Sequence, residues 1–464
     1  MKIDENVSAL KERLIEDVQK LVRINSVSSE EKPGVPFGEG PAEALDAALN
    51  IARDLGFKVV NLDNYVGYAE AFEGEEYIAA LGHLDVVPEG NGWNYPPYGA
   101  EIHDGKIYGR GTADDKGPII AALYGLKAIV DSGIKLNKKV RIIFGTDEET
   151  GKSRDLEHYL KTEKHPIAGF TPDADYPIIN GEKGITIFDL VKQLNIFSDS
   201  DIKISYIKGG LRSNMVPEYC EAGIKADLKS SIVYECEQFA ERTAYDLRAE
   251  EKDDLVIIKS YGVSAHGSVP EQGKNAIMQL FAFLGQLDLG KCDAAYFINF
   301  FNKKVGMEVN GESMGVFLQD EISGKLSFNV GIVNVTEKEA KVTLNVRYPV
   351  TKKYEDLIDP LNSALANTGI VIENMVHQKP LYYPESHPLI KTLQKVYTEQ
   401  TGEKADLISI GGGTYAKEMN NIVAFGPLFP GDPECIHQPD EYIDIDKLVL
   451  NAKIYAHAIY ELGK

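Results

Sequence analysis

Two histidines more than three hundred residues apart, with carboxylates spaced between them, constrain this chain more than any other feature. His83 lies in Leu-Gly-His-Leu-Asp-Val-Val-Pro and His437 in Ile-His-Gln-Pro-Asp-Glu-Tyr. Between them stand Asp114 in a glycine-rich run, the pair Glu148 and Glu149, and Asp173. Each follows an apolar run or sits in a turn, so a fold that uses all of them must gather strand ends from both halves of the chain. Two histidines with several carboxylates are the ligand set of a two-metal hydrolase.

The bulk properties permit such a fold and exclude other classes. Of 464 residues, 43% are hydrophobic and 9% aromatic, enough for a full core. Lys and Arg number 49 against 71 Asp and Glu, a net charge of −22. That surface repels phosphate backbones and argues against nucleic acid, but it does not repel metal cations or an amine. No apolar signal region opens the chain and no stretch is long enough to span a bilayer, so no membrane role is expected. Cys220, Cys236, Cys292 and Cys435 form no C-x-x-C pair and read as free thiols of a cytoplasmic protein.

Periodicity gives the architecture. Leu10, Leu14, Val18, Leu21 and Val22 mark a first helix, and Ala44, Leu45, Ala48, Ala52 and Leu55 a second, closed by Gly56. Residues 57–62 and 77–81 read as strands. Pro118 opens a helix running past Ile129 to Gly133, and residues 140–144 form a buried strand. This alternation predicts an α/β domain with a mixed or parallel sheet. The putting of His83, Glu148 and Glu149 just after strands matches ligand binding at strand carboxyl ends. From about 184 to 379 the texture becomes α+β, with strands at 326–333, 341–347 and 369–376 and a helix at 275–287. Helices at 389–400 and 448–460 then surround a strand at 422–425. The expected organisation is therefore a catalytic metal-binding domain in two parts, 1–183 and 380–464, interrupted by an inserted lid or substrate domain, 184–379.

A cocatalytic metal pair needs one bridging carboxylate and terminal ligands on each ion. Asp114 is the expected bridge, with His83 and Asp173 on one ion and Glu149 and His437 on the other. Asp85, two residues from His83, is placed to accept the other ring N–H of that histidine and fix its tautomer. Of the adjacent glutamates, one ligates and the other, Glu148, serves as the base for water.

Taken together, His83-Leu-Asp85, the run from Gly109 to Gly117, Asp147 to Gly151 and His437 to Glu441 resemble the M20 family of dinuclear zinc peptidases and deacylases. Thr171 to Pro177, Gly181 to Gly184, Ser264 to Ser268 and Gly412 to Ala416 resemble its dipeptidase V, or carnosinase-like, branch. The resemblance implies His83, Asp114, Glu149, Asp173 and His437 as metal ligands, Glu148 as general base and Asp85 as the residue orienting His83. It implies a cis peptide bond between Asp114 and Asp115. It also implies His266 as a stabiliser of the tetrahedral oxyanion, and Asn214, Arg347 and the Gly411, Gly412, Gly413 run as substrate contacts. Arginine suits a bidentate hold on a C-terminal carboxylate. The long lid implies that His266 acts within its own chain and that a monomer is complete.

The expected activity is hydrolysis of dipeptides with a free N-terminus, using two zinc ions, with manganese or cobalt able to support the same geometry. The alternatives are an N-acyl amino-acid deacylase and a non-catalytic metal- or peptide-binding protein. An intact Glu148 argues against the last, because binding alone needs no base. A nucleotide-binding protein is disfavoured because the Gly-Arg-Gly run lacks G-x-G-x-x-G spacing.

Overall fold

In the computed structural model, which describes residues 2–464, the chain divides into two compact units. The first comprises Met1–Asn180, Tyr383–Ile408 and Gly413–Lys464, and the second Gly181–Tyr382 with Ser409–Gly412. Among the described residues no helix is long and apolar enough to cross a membrane.

The first unit is built on a mixed sheet. Its strands run in the order Lys58–Leu62, Val66–Ala71, Lys139–Gly145, Tyr77–His83, Ala168–Thr171 and Ile422–Ala424. The last four are mutually parallel, and the first two join antiparallel at one edge. Strand Tyr77–His83 is buried at every position, which is why it reads as a continuous apolar run rather than an alternating one. The chain leaves this unit along Ile178–Glu182, which pairs antiparallel with Ile422–Ala424 at Ile179.

Helix Lys116–Asp131 is apolar all round because almost all of it is buried. It begins two residues before Pro118 and packs on strand Tyr77–His83 and on the long C-terminal helix Ile445–Gly463. Helix Lys11–Val22 buries the expected Leu14, Val18, Leu21 and Val22. Leu10 falls instead at its junction with a separate helix, Lys2–Ala9. With Ile3 and Val7 as its buried positions, that first helix is too short for its period to show in sequence.

The second unit carries an eight-stranded antiparallel sheet. Its order is Asp246–Lys252, Leu255–Tyr261, Tyr219–Lys225, Lys203–Gly209, Ser327–Val335, Glu339–Tyr348, Gly184–Gln193 and Val371–Gln378. Helices Lys229–Thr243, Ala276–Leu284, Asp293–Lys304 and Tyr354–Leu365 contribute Phe239, Phe281, Phe297 and Leu361 to one core with Phe188, Ile224, Val330 and Leu344 of the sheet. The helix expected at 275–287 is the shorter Ala276–Leu284, and Asn275 caps it by accepting from the backbone N–H of Ile277 and Met278.

Candidate metal centre

The parallel strands deliver their carboxyl ends to one place. His83 is the last residue of its strand, Glu148 and Glu149 follow Lys139–Gly145, and Asp173 follows Ala168–Thr171. Asp114 arrives on the loop before helix Lys116–Asp131, and His437 on the loop before Tyr442–Asp444, in a left-handed backbone conformation.

Asp114 sits between the two histidines. Its Oδ1 lies 2.9 Å from His83 Nε2 and its Oδ2 lies 3.0 Å from His437 Nε2. Asp173 flanks His83 at 3.8 Å, and Glu149 flanks His437 at 3.1 Å. Ligand atoms of His83, Asp114 and Glu149 all fall within 4.8 Å of one another, as do those of His83, Glu148 and Asp173. The peptide bond between Asp114 and Asp115 is cis. Asp115 turns inward, where its Oδ2 accepts the backbone N–H of His83 at 3.1 Å.

That inward carboxylate dictates a glycine at 82. A Cβ there would stand 2.1 Å from Asp115 Oδ2 and 2.8 Å from Ile119 Cβ. Gly82→Ala is expected to cost about 1–3 kcal/mol through overpacking and to shift His83. Chemical denaturation together with a metal titration would measure both, and an unchanged midpoint with unchanged metal affinity would refute the close approach.

Asp85 meets His83 through a different atom from the one its spacing implies. The strand ends at His83, so alternation does not carry on to residue 85. His83 Nδ1 donates to the backbone carbonyl of Asp85 at 2.9 Å, which leaves Nε2 facing the carboxylates as an acceptor for a cation. The Asp85 carboxylate, 3.6 Å from Nδ1, instead accepts the backbone N–H groups of Glu148 at 3.2 Å and Glu149 at 3.0 Å. It thus fixes the loop that carries both glutamates.

Electrostatics show what the cluster lacks. Burial works against ionising Asp114, but hydrogen bonds from His437 and His83 outweigh it and hold its carboxyl well below the usual range. Burial, with the charge of Asp114 beside it, pushes Asp173 up to about 7. Burial and the neighbouring Asp173 raise Glu148 well above the ordinary glutamate value. Burial disfavours charge on both histidines, yet the adjoining carboxylates raise His83 strongly and His437 to about 11. Among the described residues, the ion pairs of Asp114, Glu149 and Asp173 are all with histidine. A buried donor set of two imidazoles and several carboxylates, short of positive charge, fits divalent cations.

Several supporting residues escaped the sequence reading. Glu441 is fully buried, and its Oε1 accepts from the backbone N–H of Gly111 at 3.0 Å, Ala113 at 3.0 Å and Asp114 at 3.3 Å. Its Oε2 pairs with Arg110, itself 1% exposed, at 2.5 Å. Tyr415 donates its hydroxyl to Asp155, accepts from Asp147 N at 3.3 Å and stands edge-on to the His83 ring. The Gly412 to Ala416 run was singled out, but nothing local marks its tyrosine as a partner of the glutamate loop.

The remaining expected residues, Asn214, His266, Arg347, Gly411 and Gly412, belong to the second unit, and Gly413 to the first. His266 Nδ1 lies 2.6 Å from Ser268 Oγ and 3.4 Å from Ser268 N. A backbone N–H can only donate, so this pattern makes Nδ1 the acceptor and places the ring proton on Nε2. Arg347 is buried, and burial lowers its pKa to about 10.

Comparison with known proteins agrees with this architecture. Over 459 residues, 98% of each chain, the sequence is 43% identical to "Putative dipeptidase YtjP" of Bacillus subtilis (strain 168). It is 36% identical over 465 residues to a "Putative dipeptidase" of Staphylococcus epidermidis, covering 99% of this chain and 98% of that one. The fold is similar to that of human carnosine dipeptidase 1, with a TM-score of 0.59 at 15% identity over 100% of this chain and 98% of that one. The sequence profile of peptidase family M20/M25/M40 matches residues 79–461. That match takes in both His83 and His437 and most of the chain, and the chain belongs to peptidase family M20/M25/M40.

Proposed function

We propose that this protein is a metal-dependent dipeptidase that cleaves dipeptides with a free N-terminus, with two divalent cations held in its first unit. The observation that carries the reading is Asp114, whose two oxygens each face a different histidine. In this reading His83 and Asp173 would help hold one cation and His437 and Glu149 the other, with Asp114 available to both. Histidine and carboxylate donors suit zinc, and manganese or cobalt accept the same set. When bound, such cations polarise a carbonyl and make water more acidic.

The chain's own residues do the rest. Glu148, held by its backbone N–H on Asp85, takes a proton from the attacking water. The peptide C–N bond breaks as Glu148 passes that proton to the leaving nitrogen, and two amino acids result. Asp85 and Tyr415 keep the glutamate loop in place through this cycle. His266, with its proton on Nε2, donates to the developing oxyanion. Arg347 binds the substrate's C-terminal carboxylate. In support, its partners among the described residues are Asn345 Oδ1 and the carbonyl of Gly411, neither of them an anion.

Amino-acid release from matched free and N-acylated dipeptides tests this, after chelation and after adding back zinc or manganese. Cleavage of the free-amine set, lost on chelation by more than about 100-fold and restored by metal, is the expected result. Preference for the acylated set would assign the protein to deacylation instead. No turnover with any metal would leave a binding protein.

A further inference from the structure

Strands Ser327–Val335 and Glu339–Tyr348 have one face whose chemistry contradicts its surroundings. On the inner face Phe328, Val330, Leu344 and Val346 join the core of the second unit. By alternation the other face carries Ser327, Asn329, Asn345 and Arg347. Polar residues there belong in water, yet these four are only 4%, 1%, 1% and 4% exposed. Burying so many polar groups is unfavourable unless they find hydrogen-bond partners there.

Those hydrogen bonds lead to the residues read above as substrate contacts. Asn329 and Asn345 stand directly opposite one another across the strand pair. Asn345 Oδ1 accepts from Arg347 Nε at 3.1 Å. Asn329 Nδ2 donates to the carbonyls of Ser213 at 2.8 Å and Met215 at 2.9 Å, the residues on either side of Asn214. The carbonyl of Asn214 accepts from Gly267 N at 2.7 Å, and Met215 bridges to His266 as in a short antiparallel ladder. The far side closes through Gly411. Its carbonyl accepts from Arg347 Nη1 at 2.5 Å. A Cβ on it would lie 2.5 Å from Ser268 Cβ, beside the hydroxyl that meets His266 Nδ1. Asn214, His266 and Arg347 thus hang on one frame, with the two asparagines at its centre. Asn329 Oδ1 and Asn345 Nδ2, one acceptor and one donor, are the buried atoms of this pair without a protein partner.

We propose that Asn329 and Asn345 are positioning residues that hold Asn214, His266 and Arg347 in a single prearranged geometry for the substrate. This rests on the dipeptidase reading. The two asparagines act on different partners, and so their loss has different signatures. Asn345 orients the guanidinium and governs binding of the carboxylate. Asn329 fixes the Ser213–Met215 segment and, through it, the backbone of His266, which acts on the reacting carbonyl.

The test is steady-state kinetics on a cleaved dipeptide for Asn329→Leu, Asn345→Leu, His266→Ala and Arg347→Ala in the full chain, with metal content and unfolding midpoint alongside. Asn329→Leu is expected to lower kcat by about 100-fold, the effect of a misplacement near 1 Å, with KM changed less than about threefold. Asn345→Leu is expected to raise KM about tenfold with kcat nearly kept. Asn345→Asp preserves the acceptor for Arg347 and should restore KM towards the native value. If a leucine variant fails to fold, Asn329→Asp, of the same shape but without the two donors, replaces it and should show the same fall in kcat. Native kinetics in the asparagine variants, with impaired His266→Ala and Arg347→Ala, would overturn this proposal alone. So would equal losses in kcat and KM in both leucine variants, the mark of a general structural defect. Silent His266→Ala and Arg347→Ala would remove the substrate-contact reading, and this inference with it.

Discussion

Replacing Glu148 with Gln is expected to lower kcat roughly 10²–10⁴-fold while the protein keeps its fold and its metal. The amide has the shape of the carboxyl, and the backbone N–H of residue 148 still reaches Asp85. Burial and the neighbouring Asp173 press the Glu148 carboxyl towards its neutral form. In the proposed mechanism, the variant loses the group that accepts a proton from water and returns it to the leaving nitrogen. Turnover, metal content and unfolding midpoint should be read together. A large loss of bound metal would show that Glu148 ligates with His83 and Asp173, the alternative its proximity to them allows. Retained metal with retained turnover would mean that another group moves the proton.

The site and its frame differ in how far they were legible in the sequence, and the physical reasons are specific. His83 ends, and Glu148 and Glu149 follow, parallel strands whose buried apolar runs announce themselves, so the convergence of those ends follows from the fold class. The strand before Asp173, Ala168–Thr171, is four residues long and too short to show as a run. Asp85 was expected to continue the alternation of its strand. The strand stops at His83, and the side chain turns to the glutamate loop instead. Glu441 and Tyr415 act on loops hundreds of residues away in sequence, and no local period encodes such a contact. In the second unit, helix Asp293–Lys304 is rich in Phe, Tyr and Ile, residues of middling helix propensity, and it is held by packing of Phe297 and Phe301 into the core. The polar face around Asn345 and Arg347 was visible as alternation, but its burial was not, because the residues that cover it come from Ser213–Met215 and Gly411.

Glu441→Ala is expected to destabilise the first unit by about 3–5 kcal/mol, because it leaves Arg110 charged, buried and without its anion. The same change strips the acceptor from the N–H groups of Gly111, Ala113 and Asp114, the backbone that aims the Asp114 carboxylate between the two histidines. Two effects are therefore superimposed, and a second variant separates them. Arg110→Met with Glu441→Leu removes both charges and fills the space with apolar atoms, an exchange that is often neutral for stability. Denaturant midpoints should recover most of the loss in that double variant. Metal affinity, measured by titration with zinc, should stay reduced in both, since neither restores an acceptor for the three N–H groups. A double variant with native metal affinity would show that the loop holds Asp114 without Glu441. A single variant that loses less than about 1 kcal/mol would show that water reaches Arg110 and that the pair is not sealed.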